Sequence, residues 1–451
     1  MPGVAPAPPE AETLAPAPPP PEPDATGADV ATGEVASVGA PPAGVHNELA
    51  PEPTAEPSAP EPPVAPAAPP AAPPAVPPAV PPVVDVDDLD WEAVRVAVDP
   101  GAVRARIRAT VERLEALLDQ EDGPGMLFDA DRAGPHDRAI HALALTPDAP
   151  VWFVGDLHGD LLALEAALAL VRGTSGTEAD ADSGLPPRLV LLGDLFDDGG
   201  YGIEVLLRVF ELVCDRPDSV CVVAGNHDEA LAFDGARFRS SVVPSDFADF
   251  LNAHLAHEWV VRAGKLAVRL FASAPRALFF PDGLLVAHGG FPLADLHAEL
   301  AERGDWNDPR CLSDFVWTRA HPRARKKIPN RVSRGSQFGY EDFAAFCALS
   351  AGLGRPVTCM VRGHDHVEER YAVYPAYAAH PLLTTVALSR RLPREAFGPY
   401  ERVPTVARWV PGALPQVFRL HLPGALVRET YPEPEGDAPA DDARADPGAG
   451  G

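Results

Sequence analysis

The sequence predicts an α/β fold in which a parallel sheet, covered by helices, is backed by a second, mixed sheet and flanked by two disordered tails. Three observations carry this. Apolar runs alternate with amphipathic ones between residues 151 and 224, later apolar runs follow one another with few helices between them, and proline and acid dominate both ends. Alternating strand and helix implies parallel pairing with both faces buried.

Residues 1–84 hold 27 of the 55 prolines, ten acidic residues and neither Lys nor Arg. Such a segment cannot bury enough apolar surface to offset its ordering entropy, and proline removes backbone donors. A disordered, acidic Pro/Ala-rich tail is therefore expected over 1–87, one large ordered domain over 88–430, and a second acidic tail over 431–451. Within the domain, Asp99-Pro100 supplies a cap and a first helical position. Val103, Ile107, Val111, Leu114 and Leu118 then mark one face of a helix over about 100–120, expected to pack on the core. Strands are predicted at 151–154, 188–192 and 220–224, with helices at 161–171 and 203–214. Residues 174–187 read as a solvated loop. Further strands at 284–287, 357–361, 382–387, 403–409 and 417–420 supply the second sheet.

The formal net charge is −28, of which residues 1–84 carry −10 and 432–451 carry −5, leaving −13 in the middle. That field disfavours nucleic acid and anionic membranes, both of which need a basic stripe. The five cysteines include no CxxC pair and read as buried, reduced thiols. No basic segment leads into an unbroken apolar run, so no signal peptide is expected, and 65–84 is too proline-rich for a spanning helix. A cytoplasmic protein is the expectation.

The chemistry sits where the strands stop. The predicted strands end in Gly155-Asp156-Leu157-His158-Gly159, Gly193-Asp194-Leu195-Phe196-Asp197-Asp198-Gly199 and Gly225-Asn226-His227-Asp228. His288-Gly289-Gly290 and Arg362-Gly363-His364-Asp365-His366 follow the same rule. In open α/β sheets the ligand crevice lies beyond the carboxyl ends of the strands, so these loops should converge. Their carboxylate, imidazole and amide donors suit two divalent ions such as Mn, Fe or Zn, which could clamp an in-line displacement at phosphorus.

This ordered set of motifs resembles the calcineurin-like metallophosphoesterases. Asp314-Phe315-Val316-Trp317 with Arg334-Gly335-Ser336-Gln337-Phe338-Gly339, and Arg362 to Tyr371, are similar to segments of the phosphoprotein phosphatase branch, in its bacterial type. The resemblance implies a β-sandwich flanked by helices. It implies that Asp156, His158 and Asp194 hold one metal and that Asp194, Asn226, His288 and His364 hold the other. A hydroxide shared by the metals would attack, His227 would protonate the leaving alkoxide with Asp197 orienting it, and Arg334 would grip the phosphoryl oxygens.

Three departures stand out. Asp198 replaces the arginine that usually completes Asp-Arg-Gly, and Arg331 or Arg362 is available to compensate. Nothing in 384–391 matches the Asn-Tyr-Cys-Gly run of eukaryotic members. His366 is either a further ligand of the first metal or an exposed strand-end residue, and Asp160 either caps a helix or serves the site. Protein phosphoserine and phosphothreonine are the substrates the resemblance implies. A dinucleoside polyphosphate or other small phosphoester, or phospho-binding without turnover, remains open. The Pro-rich tail is either a spacer or a docking segment for partner modules.

Overall fold

The computed structural model describes residues 80–143, 145, 150–174, 187–325, 335–395 and 397–433. The tails before 80 and after 433, most of the 174–187 loop, and Arg331 and Arg334 lie outside the described residues.

Two six-stranded mixed sheets pack face to face. The first runs Val83–Val86, Gln416–Leu420, Thr405–Trp409, Val151–Val154, Arg188–Leu191, Val220–Val222, with the last three parallel. The second runs Tyr371–Val373, Leu382–Thr385, Cys359–Arg362, Leu284–Ala287, Ala277–Phe279, Ala139–His141. In it, Cys359–Arg362 is parallel to both neighbours.

The period of two along each strand divides the side chains between layers. Val151, Phe153, Val190 and Leu192 of the first sheet meet Leu284, Val286, Cys359 and Val361 of the second in the central core. Their alternates Trp152, Val154, Leu189 and Leu191 face outward onto helices Leu161–Thr174 and Gly202–Asp215, while Leu285, Ala287 and Met360 face a separate outer cluster with helix Tyr340–Gly352. Strands buried on both faces explain why these runs are apolar throughout instead of alternating with polar residues.

The expected helix over 100–120 is two helices, Pro100–Ala105 and Ile107–Leu118, that meet at Arg106. Asp99 caps the first, accepting from Gly101 N–H at 2.9 Å. Arg106 leaves the helical register and forks onto the Glu211 carboxylate at 2.7 and 3.2 Å, while Val111, Leu114 and Leu118 stay in the core. Order also begins before residue 88, because Val83–Val86 is an edge strand parallel to Gln416–Leu420 and Trp91–Ala97 is a helix. Cys221, Cys311, Cys347 and Cys359 are buried thiols and Cys214 is half-buried. Among the described residues, no helix is long and apolar enough to cross a membrane.

Candidate metal centre

The parallel strands Val151–Val154, Arg188–Leu191 and Val220–Val222 end at one edge of the first sheet, and Leu284–Ala287 and Cys359–Arg362 end opposite them in the second. The loops that follow turn sharply. His158, Asp194, Asp197, Asp198 and His364 all hold positive φ, between 39° and 69°, a conformation that costs a non-glycine residue energy and clusters at functional sites. Glycine makes the closest approaches possible. A Cβ on Gly193 (φ +94°) would lie 2.1 Å from Gly225 N, and one on Gly363 would lie 2.2 Å from Asp156 Oδ1.

These loops bring together every candidate ligand. Asp156, His158 and His366 form one group, and Asp194, His288 and His364 another, each with ligand atoms within 4.8 Å of one another. Asp194 links them, its Oδ2 lying 3.6 Å from His158 Nε2 and 3.4 Å from His288 Nε2. Asn226 Oδ1 and His364 Nδ1 complete the second group, 3.1 and 3.0 Å from His288 Nε2. Carbonyl oxygens fix the rings: His158 Nδ1 donates to Phe196 O at 3.1 Å and His288 Nδ1 to Leu192 O at 2.9 Å. For His158 this leaves the Nε2 lone pair facing the cluster; His288, pulled down by burial but raised to about 9 by Asp194 and Asp156, also presents Nε2 and would give up a proton to a cation.

His366 belongs to the cluster and is not an exposed strand-end residue. Its Nε2 lies 2.9 Å from Asp156 Oδ2, and its Nδ1 lies 3.6 Å from Glu395 Oε1. Glu395 is itself held by the buried Arg370 through a 2.8 Å bond. A carboxylate behind the imidazole is the arrangement that orients metal-ligating histidines.

Asp160 caps helix Leu161–Thr174, its Oδ1 accepting from Ala163 N–H, while its Oδ2 accepts from Ser389 N–H and Oγ–H. Asp228 accepts from Gly225, Asp194 and Leu195 N–H, which ties the second and third loops together. Burial and the nearby Asp194 push the Asp228 carboxyl up to about 7.

The donor set fits cations. Asp156, Asp194, Asp197, Asp198 and Asp228 are all at most 6% exposed, and buried carboxylates need compensating charge. Burial, reinforced by Arg394, holds His158 well below the ordinary histidine range; burial with Arg319 does the same for His364. Both are therefore neutral, lone-pair donors, as metal binding requires.

Beside the two groups, His227 Nδ1 donates to Asp197 Oδ2 at 2.7 Å. Burial pulls His227 down, but Asp194 and this bond outweigh it and raise its pKa. Asp197 is fixed in turn by Phe247 N–H at 2.9 Å.

Arg362 does not compensate Asp198. It is fully buried and donates to Gly289 O, to Thr318 O at 3.2 Å, to Thr384 Oγ1 at 3.3 Å and to the Asp365 carboxylate, so it braces two strand-end loops. Removing one partner of a buried charged network leaves the others unpaired. Arg362→Ala is expected to cost about 3–5 kcal/mol in urea unfolding, and a loss under 1 kcal/mol would refute the bracing role. The cation beside Asp198 is Arg394, whose Nη2 lies 2.8 Å from Asp198 Oδ2 and 3.2 Å from His158 Nε2. Sequence reasoning missed it, as it missed Glu395 and Arg370 behind His366.

Residues 149–368 match the family described as calcineurin-like phosphoesterase. The chain is 22% identical over 246 residues to the serine/threonine-protein phosphatase 6 catalytic subunit of Caenorhabditis elegans, covering 52% of this chain and 63% of that protein. It is 35% identical over 81 residues to the serine/threonine-protein phosphatase 4 catalytic subunit of Candida glabrata, covering 18% of this chain and 23% of that protein. The chain thus spans less than two thirds of the length of either relative. Among solved structures, a protein serine/threonine phosphatase of Saccharomyces cerevisiae with similarity to human phosphatase PP5 aligns at a TM-score of 0.46 and 17% identity, over 71% of this chain and 90% of that one. The segment that matches the calcineurin-like phosphoesterase family, residues 149–368, carries every candidate ligand from Asp156 to His366.

Proposed function

We propose that the protein is a metal-dependent phosphomonoesterase acting on phosphoserine and phosphothreonine in proteins. The observation that carries it is a hydrogen-bonded His227–Asp197 pair set directly beside two groups of buried carboxylate and imidazole donors. Binding alone does not need a proton donor at that place; cleavage of an alkyl phosphate does. The similarity to serine/threonine phosphatase catalytic subunits supports the substrate class.

Asp156, His158, His366 and Asp194 would hold one divalent cation; Asp194, Asn226, His288 and His364 would hold the other. When bound, such a pair supplies positive charge that activates water and stabilises the phosphoryl oxygens. The chain's own residues do the rest. Asp197 fixes the His227 ring through Nδ1 and favours the imidazolium, so Nε2–H is the donor for the departing alkoxide. His158 and His288 are prevented from turning by Phe196 O and Leu192 O, which keeps their Nε2 atoms in place. Arg334, outside the described residues, follows in sequence the helix Pro309–Trp317 that packs under His288-Gly289-Gly290, where Gly289 N–H donates to Phe315 O at 2.7 Å. It is proposed as a phosphoryl ligand, with Arg331 beside it in sequence.

The full chain, stripped with a chelator and reloaded with Mn, Fe or Zn, is expected to recover hydrolysis of p-nitrophenyl phosphate and a phosphothreonine peptide with two ions per chain. Absence of metal-dependent turnover would sink the proposal. Preference for diadenosine tetraphosphate over the peptide would move the substrate class to small phosphoesters.

A further inference from the structure

An acidic side chain at the edge of a phosphate site is a liability that the fold has to answer, and this chain answers it from outside the family-matched domain. Asp198 is enclosed, and the main chain beneath it is pinned. Its backbone N–H and that of Gly199 are held by the two Asp246 carboxylate oxygens at 2.8 and 2.7 Å, and its side chain is 2% exposed, with Oδ2 3.5 Å from His158 Nδ1. A phosphate dianion next to the metal ligands would therefore meet a fixed carboxylate.

Arg394 stands at this carboxylate. Its ion pair with Asp198 Oδ2 runs through Nη2, whose second contact, to His158 Nε2, is given up when that lone pair holds a cation, and its side chain is 37% exposed. Among the described residues, Nη1 and Nε make no hydrogen bond, so they remain for an incoming anion. The loop that carries it is fastened at several points. Asp160 accepts from Ser389 N–H and Oγ–H at 2.7 Å each, Arg370 donates to Arg390 O at 2.6 Å, and Glu395 accepts from Leu392 N–H at 2.8 Å. Asp160 and Arg370 also anchor the loop to the elements that carry His158 and His366.

Resting on the phosphomonoesterase reading, we infer that Arg394 is a phosphoryl-binding guanidinium of this site, and that Asp198 is the positioning residue that holds it there. The arrangement spends one guanidinium nitrogen on the protein and leaves the rest of the fork for two phosphoryl oxygens. It also accounts for a buried acid next to the metal ligands: the carboxylate is neutralised by the cation it orients.

The test uses the full chain loaded with Mn and two readouts, the KM and kcat for p-nitrophenyl phosphate and the affinity for inorganic phosphate by calorimetry. Arg394→Ala is expected to weaken phosphate binding and raise KM by about 10- to 100-fold, the scale of a lost charge-assisted hydrogen bond. Its Mn content should match wild type. Arg394→Lys should recover only part, because an ammonium lacks the fork. Asp198→Asn should raise KM by a smaller factor, about 3- to 10-fold. The exchange Asp198→Arg with Arg394→Asp should bind phosphate better than Arg394→Ala alone. If Arg394→Ala and Arg394→Lys keep phosphate affinity and KM within twofold of wild type, or if the exchange gains nothing over Arg394→Ala, the assignment is wrong. A wild-type protein that binds phosphate but turns over no phosphoester would instead overturn the enzymatic reading, and the calorimetric arm would still judge Arg394.

Discussion

Asp194→Asn is expected to strip metal from the protein and to lower kcat/KM for p-nitrophenyl phosphate by about a thousandfold or more, since the cations are asked to supply several kcal/mol. The reason is position. Asp194 is the carboxylate that approaches both donor groups, within 3.6 Å of His158 Nε2 and 3.4 Å of His288 Nε2, and its Oδ1 also accepts from His227 N–H at 2.9 Å. Asparagine keeps the shape and the tolerance for φ of 52°, so the backbone turn survives while the shared negative charge is lost. Burial works against the Asp194 carboxylate, but His288 and His227 outweigh it and hold its pKa well below the usual carboxylate range, so the variant should also melt at a lower temperature than wild type without added metal. Metal analysis, a thermal melt and the rate assay together decide it. Two ions per chain with activity within tenfold of wild type would show that Asp194 does not bridge.

How much of this could be read from residues alone follows from what each residue's partner is. Asp156, His158, Asp194, Asn226, His227, His288 and His364 were legible because each directly follows an apolar strand and a parallel sheet gathers strand ends at one edge. The split of apolar residues between two cores was not. Val151 and Trp152 look alike in sequence, and only the stacking of the sheets sends one to the centre and the other under helices. Arg362 read as a spare cation, yet it is enclosed by carbonyls of Gly289 and Thr318 that the sequence places far away. Arg394 was invisible for the opposite reason. It lies 236 residues beyond His158, in a loop without periodic pattern, and nothing local announces that it will pair with Asp198. The strand Val83–Val86 was hidden by its proline-rich surroundings; its order comes from the backbone of Gln416–Leu420, a partner at the other end of the chain.

The second large effect separates proton transfer from metal function. His227→Asn keeps a polar side chain near Asp197 and leaves in place the backbone N–H that bonds Asp194 Oδ1, so metal content should stay at the wild-type value. What is lost is the donor for the leaving oxygen. General-acid catalysis contributes about 10²–10⁴-fold when the leaving group is a poor one. A serine or threonine alkoxide is a poor leaving group; p-nitrophenolate departs without a proton. The variant should therefore lose about 10²–10⁴-fold in kcat on a phosphothreonine peptide and far less on p-nitrophenyl phosphate. Asp197→Asn should lie between, because Asp197 acts on the substrate only through the 2.7 Å bond that orients the ring and favours its cation. A series of alkyl and aryl phosphates of graded leaving-group acidity reads this directly as a steeper dependence of rate on leaving group in the variant. Equal losses on both substrates would mean that His227 supports the architecture of the site and donates no proton.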